Sequence, residues 1–241
     1  MNRFAEVREA FWKQEPQVKE VLADMTAQRV FIVPLFVSEG YFSENVIPKE
    51  LGFGAAEERS VNTGGKSIYY CKPVGSHPEV TDLILDRALG IIDTFPYPRK
   101  PDPLATTLFV AGHGTERDPE SRKAMDWHAA RIRDRKIFAD CHAIFLEEKP
   151  GICDCYDLAQ TRNIVVVPLL IGEGDHTQKD IPKMLGEAER VIEKRLANNQ
   201  SPWRNPTEKQ GKLVWYASAL GLEPRLANII LNRVEQAIKA K

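Results

Sequence analysis

The chain has 241 residues, of which 43% are hydrophobic and 28% charged, and its formal net charge is −1. This size allows one large domain or two half-size domains whose cores need neither disulfides nor metals. The near-neutral charge gives no overall field that favours nucleic acid, so we expect no nucleic-acid partner. The N-terminus has no apolar signal core and no apolar run reaches 18 residues, so we expect a cytoplasmic protein without membrane contact.

The first half of the chain predicts alternating helices and strands. In chain order these are a helix at 16–25, a strand at 30–34, a helix from 47, a strand at 67–71 and a terminal helix after Pro78. Residues 3–14 are open between strand and helix, because Phe4, Val7 and Phe11 also suit a helical period.

A proline-rich segment separates this half from the next. Residues 96–103 contain four prolines in eight positions, which favours a stiff, extended connector. We therefore predict a degenerate half-domain at 1–94, a linker at 95–106 and a second half-domain at 107–241.

The second half predicts a full series of alternating strands and helices. In chain order these include a strand at 107–111, a helix around Trp127, a helix at 150–158, a strand at 164–168, a helix from 181, an inserted charged helical stretch at 187–196, a strand at 213–217 and a terminal helix. Such alternation is typical of a parallel sheet covered by helices.

The two halves are copies of one pattern. Residues 10–52 and 144–186 align without a gap at an offset of 134, which indicates duplicated supersecondary units. The fold class is therefore α/β, with two similar half-domains that each have a parallel sheet flanked by helices. The first half has no counterpart to 107–134, so it lacks the opening strand and helix. The resulting free sheet edge could pair with a second copy in a homodimer.

The mismatches between the copies indicate where chemistry lies. The first copy has Lys13, Tyr41 and Phe42, where the second has Glu147, Asp175 and His176. If the second sheet winds in the common order 2-1-3-4, His113 follows the first strand, Glu147 the second and His176 the third. These groups should then meet at the carboxyl edge of the sheet, where open α/β sheets bind ligands. Two imidazoles and a carboxylate suit Fe²⁺, Co²⁺, Ni²⁺ or Zn²⁺.

The remaining histidines and the cysteines predict no metal site. We expect His128 and His142 to be packing or surface residues and His77 to cap a helix start. The four cysteines are expected to be reduced thiols, since the chain has no export signal and their spacing matches no common ligand set.

Three segments resemble the sirohydrochlorin cobaltochelatase and ferrochelatase family, the small class II chelatases of vitamin B12 and sirohaem synthesis. They are 109–115 with the Gly-His-Gly-Thr motif, 145–147, and 167–182 with the Gly-Asp-His-x-x-x-Asp-Ile-Pro motif. The resemblance implies that His113 and His176 bind the incoming metal and that a glutamate near Glu147 assists. The chain departs from the family in its missing opening strand, in Glu116, and in histidines that lie in the C-terminal half.

The resemblance also implies a tetrapyrrole substrate and a divalent metal substrate, cobalt or iron with nickel as a further candidate, and no nucleotide. Basic side chains beside the histidine loops could then pair with the substrate carboxylates; they are Arg117, Arg122, Lys179 and Lys183. Tyr41 and Phe42 either stack on the macrocycle or seal the interface between the halves. Two other functions stay open: a non-catalytic protein that binds metal or tetrapyrrole on a chelatase fold, and a metal-dependent hydrolase.

Overall fold

The computed structural model describes residues 3–54, 59–115 and 119–239. In these ranges the first half of the chain forms a three-stranded sheet. Its strands are β1 (Arg29–Ile32), β2 (Ser60–Thr63) and β3 (Lys66–Tyr70). They lie in the order β1-β3-β2, with β1 parallel and β2 antiparallel to β3. Within the described ranges β1 pairs with a strand on one side only. Its other side is where the repeat would place the opening strand that the first half lacks.

The second half forms a five-stranded sheet. Its strands are β4 (Thr106–Gly112), β5 (Asp140–Phe145), β6 (Asn163–Pro168), β7 (Thr207–Lys209) and β8 (Lys212–Tyr216). They lie in the order β5-β4-β6-β8-β7, and only β7 is antiparallel to its neighbour. The four parallel strands therefore follow the predicted order, and the α/β class is confirmed.

Residues 3–14 form neither of the two predicted alternatives. Their only regular pairing is an isolated bridge from Phe11 to Gln17, and the second copy repeats it between Phe145 and Gly151. Val7 is 83% exposed whereas Phe4 and Phe11 are partly buried, so the apolar side chains that suggested a helix do not form one buried face. The helix and the strand predicted for this segment are both wrong.

Helices cover the sheets. They are α1 (Val18–Asp24), α2 (Ile47–Glu50), α3 (Val80–Thr94), α4 (Pro119–Asp134), α5 (Cys155–Leu158), α6 (Ile181–Met184), α7 (Glu189–Ala197) and α8 (Leu226–Lys239). Two π-helical turns, Phe42–Val46 and His176–Asp180, run directly into α2 and α6. Of the helices in the described ranges, none is long and apolar enough to cross a membrane.

The two halves share one hydrophobic core. Ile84 and Ile92 of α3 are fully buried in the same cluster as Leu108, Val165 and Trp215 of the second sheet. The first half therefore contributes its terminal helix to the core of the second. This packing holds α3, which ends before the proline-rich segment, against the sheet that carries the candidate site.

Candidate metal centre

His113 lies in the loop after β4, between two glycines that are in close contact with neighbouring side chains. A Cβ atom on Gly112 would lie 2.7 Å from the side chain of Met125, and one on Gly114 would lie 2.8 Å from Cβ of Phe145. Gly114 also has a positive φ of 67°, which residues with a side chain rarely adopt. Gly114 thus allows a sharp turn that leaves the imidazole of His113 at the carboxyl end of β4.

His176 is the first residue of the second π-helical turn, in the loop after β6. The next residue, Thr177, is buried, and its hydroxyl accepts a hydrogen bond of 3.0 Å from the amide of Gly174. The first copy has the same bond, also 3.0 Å, between the hydroxyl of Ser43 and the amide of Gly40. The repeat therefore builds the same turn twice, and only the second places an imidazole on it.

The structure brings the two imidazoles together. The ring centroids of His113 and His176 are 5.0 Å apart, and the rings meet edge to face at 86°. The contact arises because β4 and β6 are adjacent parallel strands, so that their carboxyl ends open onto the same edge of the sheet. Side chains at this separation can bind one ion after small rotations of the rings.

Hydrogen bonds determine which ring nitrogens are available. Nδ1 of His113 lies 2.8 Å from the carbonyl oxygen of Gly114, and Nδ1 of His176 lies 2.7 Å from Oδ2 of Asp180. Carbonyl and carboxylate oxygens only accept, so both Nδ1 atoms carry the hydrogen. In the neutral rings the lone pair is then on Nε2, which is the atom that can bind a metal ion.

Of the two neighbouring glutamates after β5, Glu147 contacts the imidazole. Its Oε2 lies 3.6 Å from Nδ1 of His113, and more than half of its side chain is exposed. Glu148 is largely buried and accepts a hydrogen bond of 3.1 Å from Arg122. The carboxylate of Glu147 is therefore accessible to solvent, whereas Glu148 is held in an ion pair.

The candidate site is open. Within the described ranges, no three His, Cys, Asp or Glu residues are grouped so that they could hold a metal ion. An ion on the two imidazoles would keep free coordination positions, unlike the four-ligand structural zinc sites. Such a site can pass an ion on as well as bind it.

The residues predicted to contact a substrate lie in varied surroundings. Lys179 forms an ion pair of 2.8 Å with Asp175, and Arg117 lies outside the described residues. Tyr41 and Phe42 are exposed at the start of the first π-helical turn, with ring centroids 5.9 Å apart. Nζ of Lys13 lies 5.8 Å from the ring centroid of Phe42, so the mismatched residues of the first copy also meet.

Asp180 is a site residue that the sequence reasoning missed. Its position in the sequence could have indicated this role, because Asp180 follows His176 by four residues. Side chains at i and i+4 of a helical turn are adjacent, so the carboxylate can reach the imidazole. The repeat offset also places Val46 at the corresponding position of the first copy, opposite Phe42. The histidine and its carboxylate partner are therefore both absent from the first copy.

The other histidines and the cysteines lie elsewhere. His128 is buried, His142 pairs with Asp140, and Nδ1 of His77 accepts a hydrogen bond from the Glu79 amide near the start of α3. All four cysteines are free thiols. Burial raises the pKa of the Cys155 thiol to about 12, so in the metal-free protein this side chain is a neutral thiol at neutral pH.

Two repeats of an α/β unit, with an adjacent pair of imidazoles at the edge of the second sheet, define an α/β protein with a candidate metal-binding site. Comparison with known families specifies this class further. The chain belongs to the CbiX family, because the CbiX family model matches residues 1–90 and 107–237. The family resemblance seen in the sequence is thereby confirmed.

Individual relatives carry related names. A probable sirohydrochlorin cobaltochelatase of Halobacterium salinarum is 38% identical over 248 residues, which cover 97% of this chain and 80% of the relative. A sirohydrochlorin cobaltochelatase of Methanopyrus kandleri is 29% identical over 139 residues, which cover 54% of this chain and 96% of that protein.

The fold also has a counterpart among solved structures. A multi-domain protein of Deinococcus radiodurans, described as structurally similar to chelatases, superposes with a TM-score of 0.72 at 26% sequence identity. The match covers 95% of this chain and 46% of the Deinococcus chain, so the present chain spans under half of that protein.

Proposed function

We propose that this protein inserts a divalent metal ion, Co²⁺ in the first place, into sirohydrochlorin. The observation that carries the proposal is the pair His113 and His176, whose ring centroids are 5.0 Å apart at the ends of two adjacent strands. The names of the relatives supply the substrate, since the relative from Halobacterium salinarum is named a probable sirohydrochlorin cobaltochelatase and that from Methanopyrus kandleri a sirohydrochlorin cobaltochelatase.

In the proposed reaction the ion binds first to Nε2 of His113 and Nε2 of His176. Two protein ligands leave the other positions to water, which the macrocycle nitrogens can replace one after another. Insertion forms metal–nitrogen bonds and releases the two N–H protons of the macrocycle. The oxidation state of the metal does not change, so the reaction needs no redox partner, and we propose that it uses no nucleotide.

Glu147 is the proposed first acceptor of these protons. Its carboxylate is 3.6 Å from His113 and its side chain is 57% exposed, so it connects the ligand pair with bulk water. A carboxylate in this position can take a proton as the macrocycle nitrogen binds the metal and then release it to solvent.

The substrate would be held by charge and by stacking. Arg117 and Lys179 are the proposed partners of its carboxylates, and Lys179 would exchange its ion pair with Asp175 for one with the substrate. The exchange costs little because exposed ion pairs contribute little stability. Tyr41 and Phe42 are the proposed stacking surface, and their exposed rings fit that role.

The preference for Co²⁺ over Fe²⁺ rests on the names of the relatives, and Ni²⁺ is a further candidate. Two imidazoles bind all three ions, with affinities that rise from Fe²⁺ to Ni²⁺. Selection would therefore depend on supply and on how fast each ion leaves the histidines for the macrocycle.

A homodimer through the outer edge of β1 remains part of the proposal. The edge is free of a strand partner in the described ranges, and a second copy could extend the sheet there. Sedimentation equilibrium of wild-type protein and of a Phe31→Pro variant would test it; a monomeric wild type would contradict it.

The experiment that tests the function is anaerobic incubation of the protein with sirohydrochlorin and Co²⁺, Fe²⁺ or Ni²⁺, followed by absorbance. We expect conversion of the tetrapyrrole spectrum faster than in the protein-free control. Binding of the tetrapyrrole without conversion would instead support the non-catalytic binding protein.

A further inference from the structure

The turn that carries His176 contains a carboxylate aimed at the back of its ring. Oδ2 of Asp180 lies 2.7 Å from Nδ1 of His176, a distance typical of a strong charge-assisted hydrogen bond. The bond fixes the ring nitrogen that carries hydrogen and also the rotation of the ring. Each of these controls whether Nε2 points its lone pair toward His113.

The backbone that presents Asp180 is anchored on both sides of the pair. Ile181 follows Asp180 directly and is fully buried, as is Leu185 one turn later. On the other side Thr177 is buried and bonded to the amide of Gly174. The carboxylate is thus attached to a rigid turn and is not on a mobile loop.

The first copy shows that the turn does not depend on the histidine–aspartate bond. Phe42 and Val46 occupy the corresponding positions, and the segment still forms a π-helical turn that leads into α2. Its anchors are also the same, with a buried Ser43 and a buried Ile47. The bond between His176 and Asp180 is therefore an addition to a turn that folds without it.

The two histidines differ in how their rings are held. Nδ1 of His113 donates to the backbone carbonyl of Gly114, which no substitution removes. Nδ1 of His176 depends on a side chain, the carboxylate of Asp180. The orientation of one ligand can therefore be changed by a single substitution while the other ligand stays in place.

We propose that Asp180 is a positioning residue, which holds His176 in the tautomer and rotation that direct Nε2 to the metal ion. The inference rests on the proposed function in that it takes the two imidazoles as the metal ligands. Asp180 itself touches neither the ion nor the tetrapyrrole. Removing such a partner of a ligating histidine typically weakens metal binding by about 10- to 100-fold.

Two substitutions test the role. Asp180→Asn keeps the size of the side chain but offers an amide that can donate to Nδ1, which favours the tautomer with hydrogen on Nε2. Asp180→Val places at this position the residue type that the first copy tolerates at Val46. Glu50→Gln is the matched control. Glu50 lies on α2, the helix of the first copy that corresponds to α6, and its exposed carboxylate forms an ion pair with Lys19.

Two readouts are made on the full chain. Long-range ¹H–¹⁵N spectra of the metal-free protein report the tautomer of His176, and titration with Co²⁺ reports the dissociation constant. We expect the Nδ1–H tautomer in the wild type, its loss in Asp180→Asn, Co²⁺ binding weakened about 10- to 100-fold in both Asp180 variants, and wild-type values for Glu50→Gln.

The inference is overturned if wild-type His176 carries its hydrogen on Nε2, or if both Asp180 variants bind Co²⁺ within about twofold of the wild type. Circular dichroism shows whether the variants keep the fold. The tautomer measurement needs neither metal nor tetrapyrrole, so it judges Asp180 even if the wild type converts no sirohydrochlorin. A wild type that converts no sirohydrochlorin would contradict the proposed function and leave the role of Asp180 unaffected.

Discussion

His176 and Phe42 occupy the same position in two π-helical turns, and the difference between their rings separates the proposed metal ligand from the proposed stacking surface. Lys13 and Glu147 also occupy the same position in the two copies. Lys13 contacts the ring of Phe42, and Glu147 contacts the ring of His113. In the second copy a carboxylate lies beside an imidazole. In the first copy a cation lies over an aromatic face, in the geometry of a cation–π contact.

At the residue scale, Glu147→Gln tests the proposed proton acceptor. The amide cannot take a proton, so we expect the turnover number for Co²⁺ insertion to fall at least about tenfold while Co²⁺ affinity stays near the wild-type value. Stopped-flow absorbance and metal titration measure the two quantities. Glu208→Gln is the control, because Glu208 is an exposed carboxylate paired with Arg162 on β7. Unchanged turnover in Glu147→Gln would contradict the role.

At the element scale, the first π-helical turn is expected to contribute to substrate binding. A Tyr41→Ala, Phe42→Ala double variant should lower tetrapyrrole affinity about tenfold, because each aromatic contact contributes roughly 0.5–1.5 kcal/mol. Co²⁺ affinity should stay unchanged, since both histidines are on other loops.

The matched control is a Phe95→Ala, Tyr97→Ala double variant, which removes two exposed rings of the proline-rich segment. Fluorescence quenching or absorbance titration with sirohydrochlorin measures the affinities. Equal affinity in the Tyr41, Phe42 variant and the wild type would exclude stacking and leave the alternative that these rings serve an interface.

The central parallel strands could be predicted from the sequence because short runs of apolar, β-branched residues are typical of strands that are buried on both faces. The run at 164–168 is apolar on both faces, and β6 is buried on both faces. The short antiparallel edge strands β2 and β7 were not predicted, because they are polar and are formed by pairing with a neighbour. The formation of β2 and β7 therefore depends on pairing with a neighbouring strand and not on the local sequence pattern.

The candidate site could be predicted in part for a similar reason. Loops at the carboxyl ends of neighbouring strands converge, so the proximity of His113 and His176 follows from strand order alone. The bond between His176 and Asp180 depends on side-chain rotation within one turn, which strand order does not determine. The ion pairs of Lys179 and Arg122 depend on the same kind of local detail.

At the scale of the whole molecule, a buried histidine joins the two halves. Nε2 of His128 donates to the carbonyl oxygen of Gly75 at 2.8 Å, and Nδ1 lies 2.9 Å from the hydroxyl of Thr81. Both partners belong to the first half, whereas His128 is on α4. Burial, with a smaller effect of the charge on Arg131, lowers the pKa of His128 to about 4.

This linkage predicts that stability falls in mild acid. The folded-state pKa of about 4 is below the ordinary value of 6.5, so the unfolded chain binds the proton more readily. The contribution of His128 to the free energy of unfolding is fully present above pH 6.5 and is lost as the pH falls toward 4. The loss is about 2 kcal/mol between pH 7 and pH 5.

Urea unfolding at pH 7 and pH 5 measures this loss. A His128→Gln variant should be less stable at pH 7 and should lose less stability on acidification than the wild type. His142→Gln is the control, because His142 is a partly exposed imidazole paired with Asp140. An equal loss in His128→Gln and the wild type would show that other groups account for acid sensitivity.

The claim on which the account depends most is that His113 and His176 bind one ion together. X-ray absorption spectroscopy of the Co²⁺-loaded protein, repeated on His113→Ala, His176→Ala and the control His142→Ala, tests it most directly. We expect two imidazoles per cobalt in the wild type and the control, and at most one in either site variant, with weaker binding. Two imidazoles retained in either site variant would contradict it.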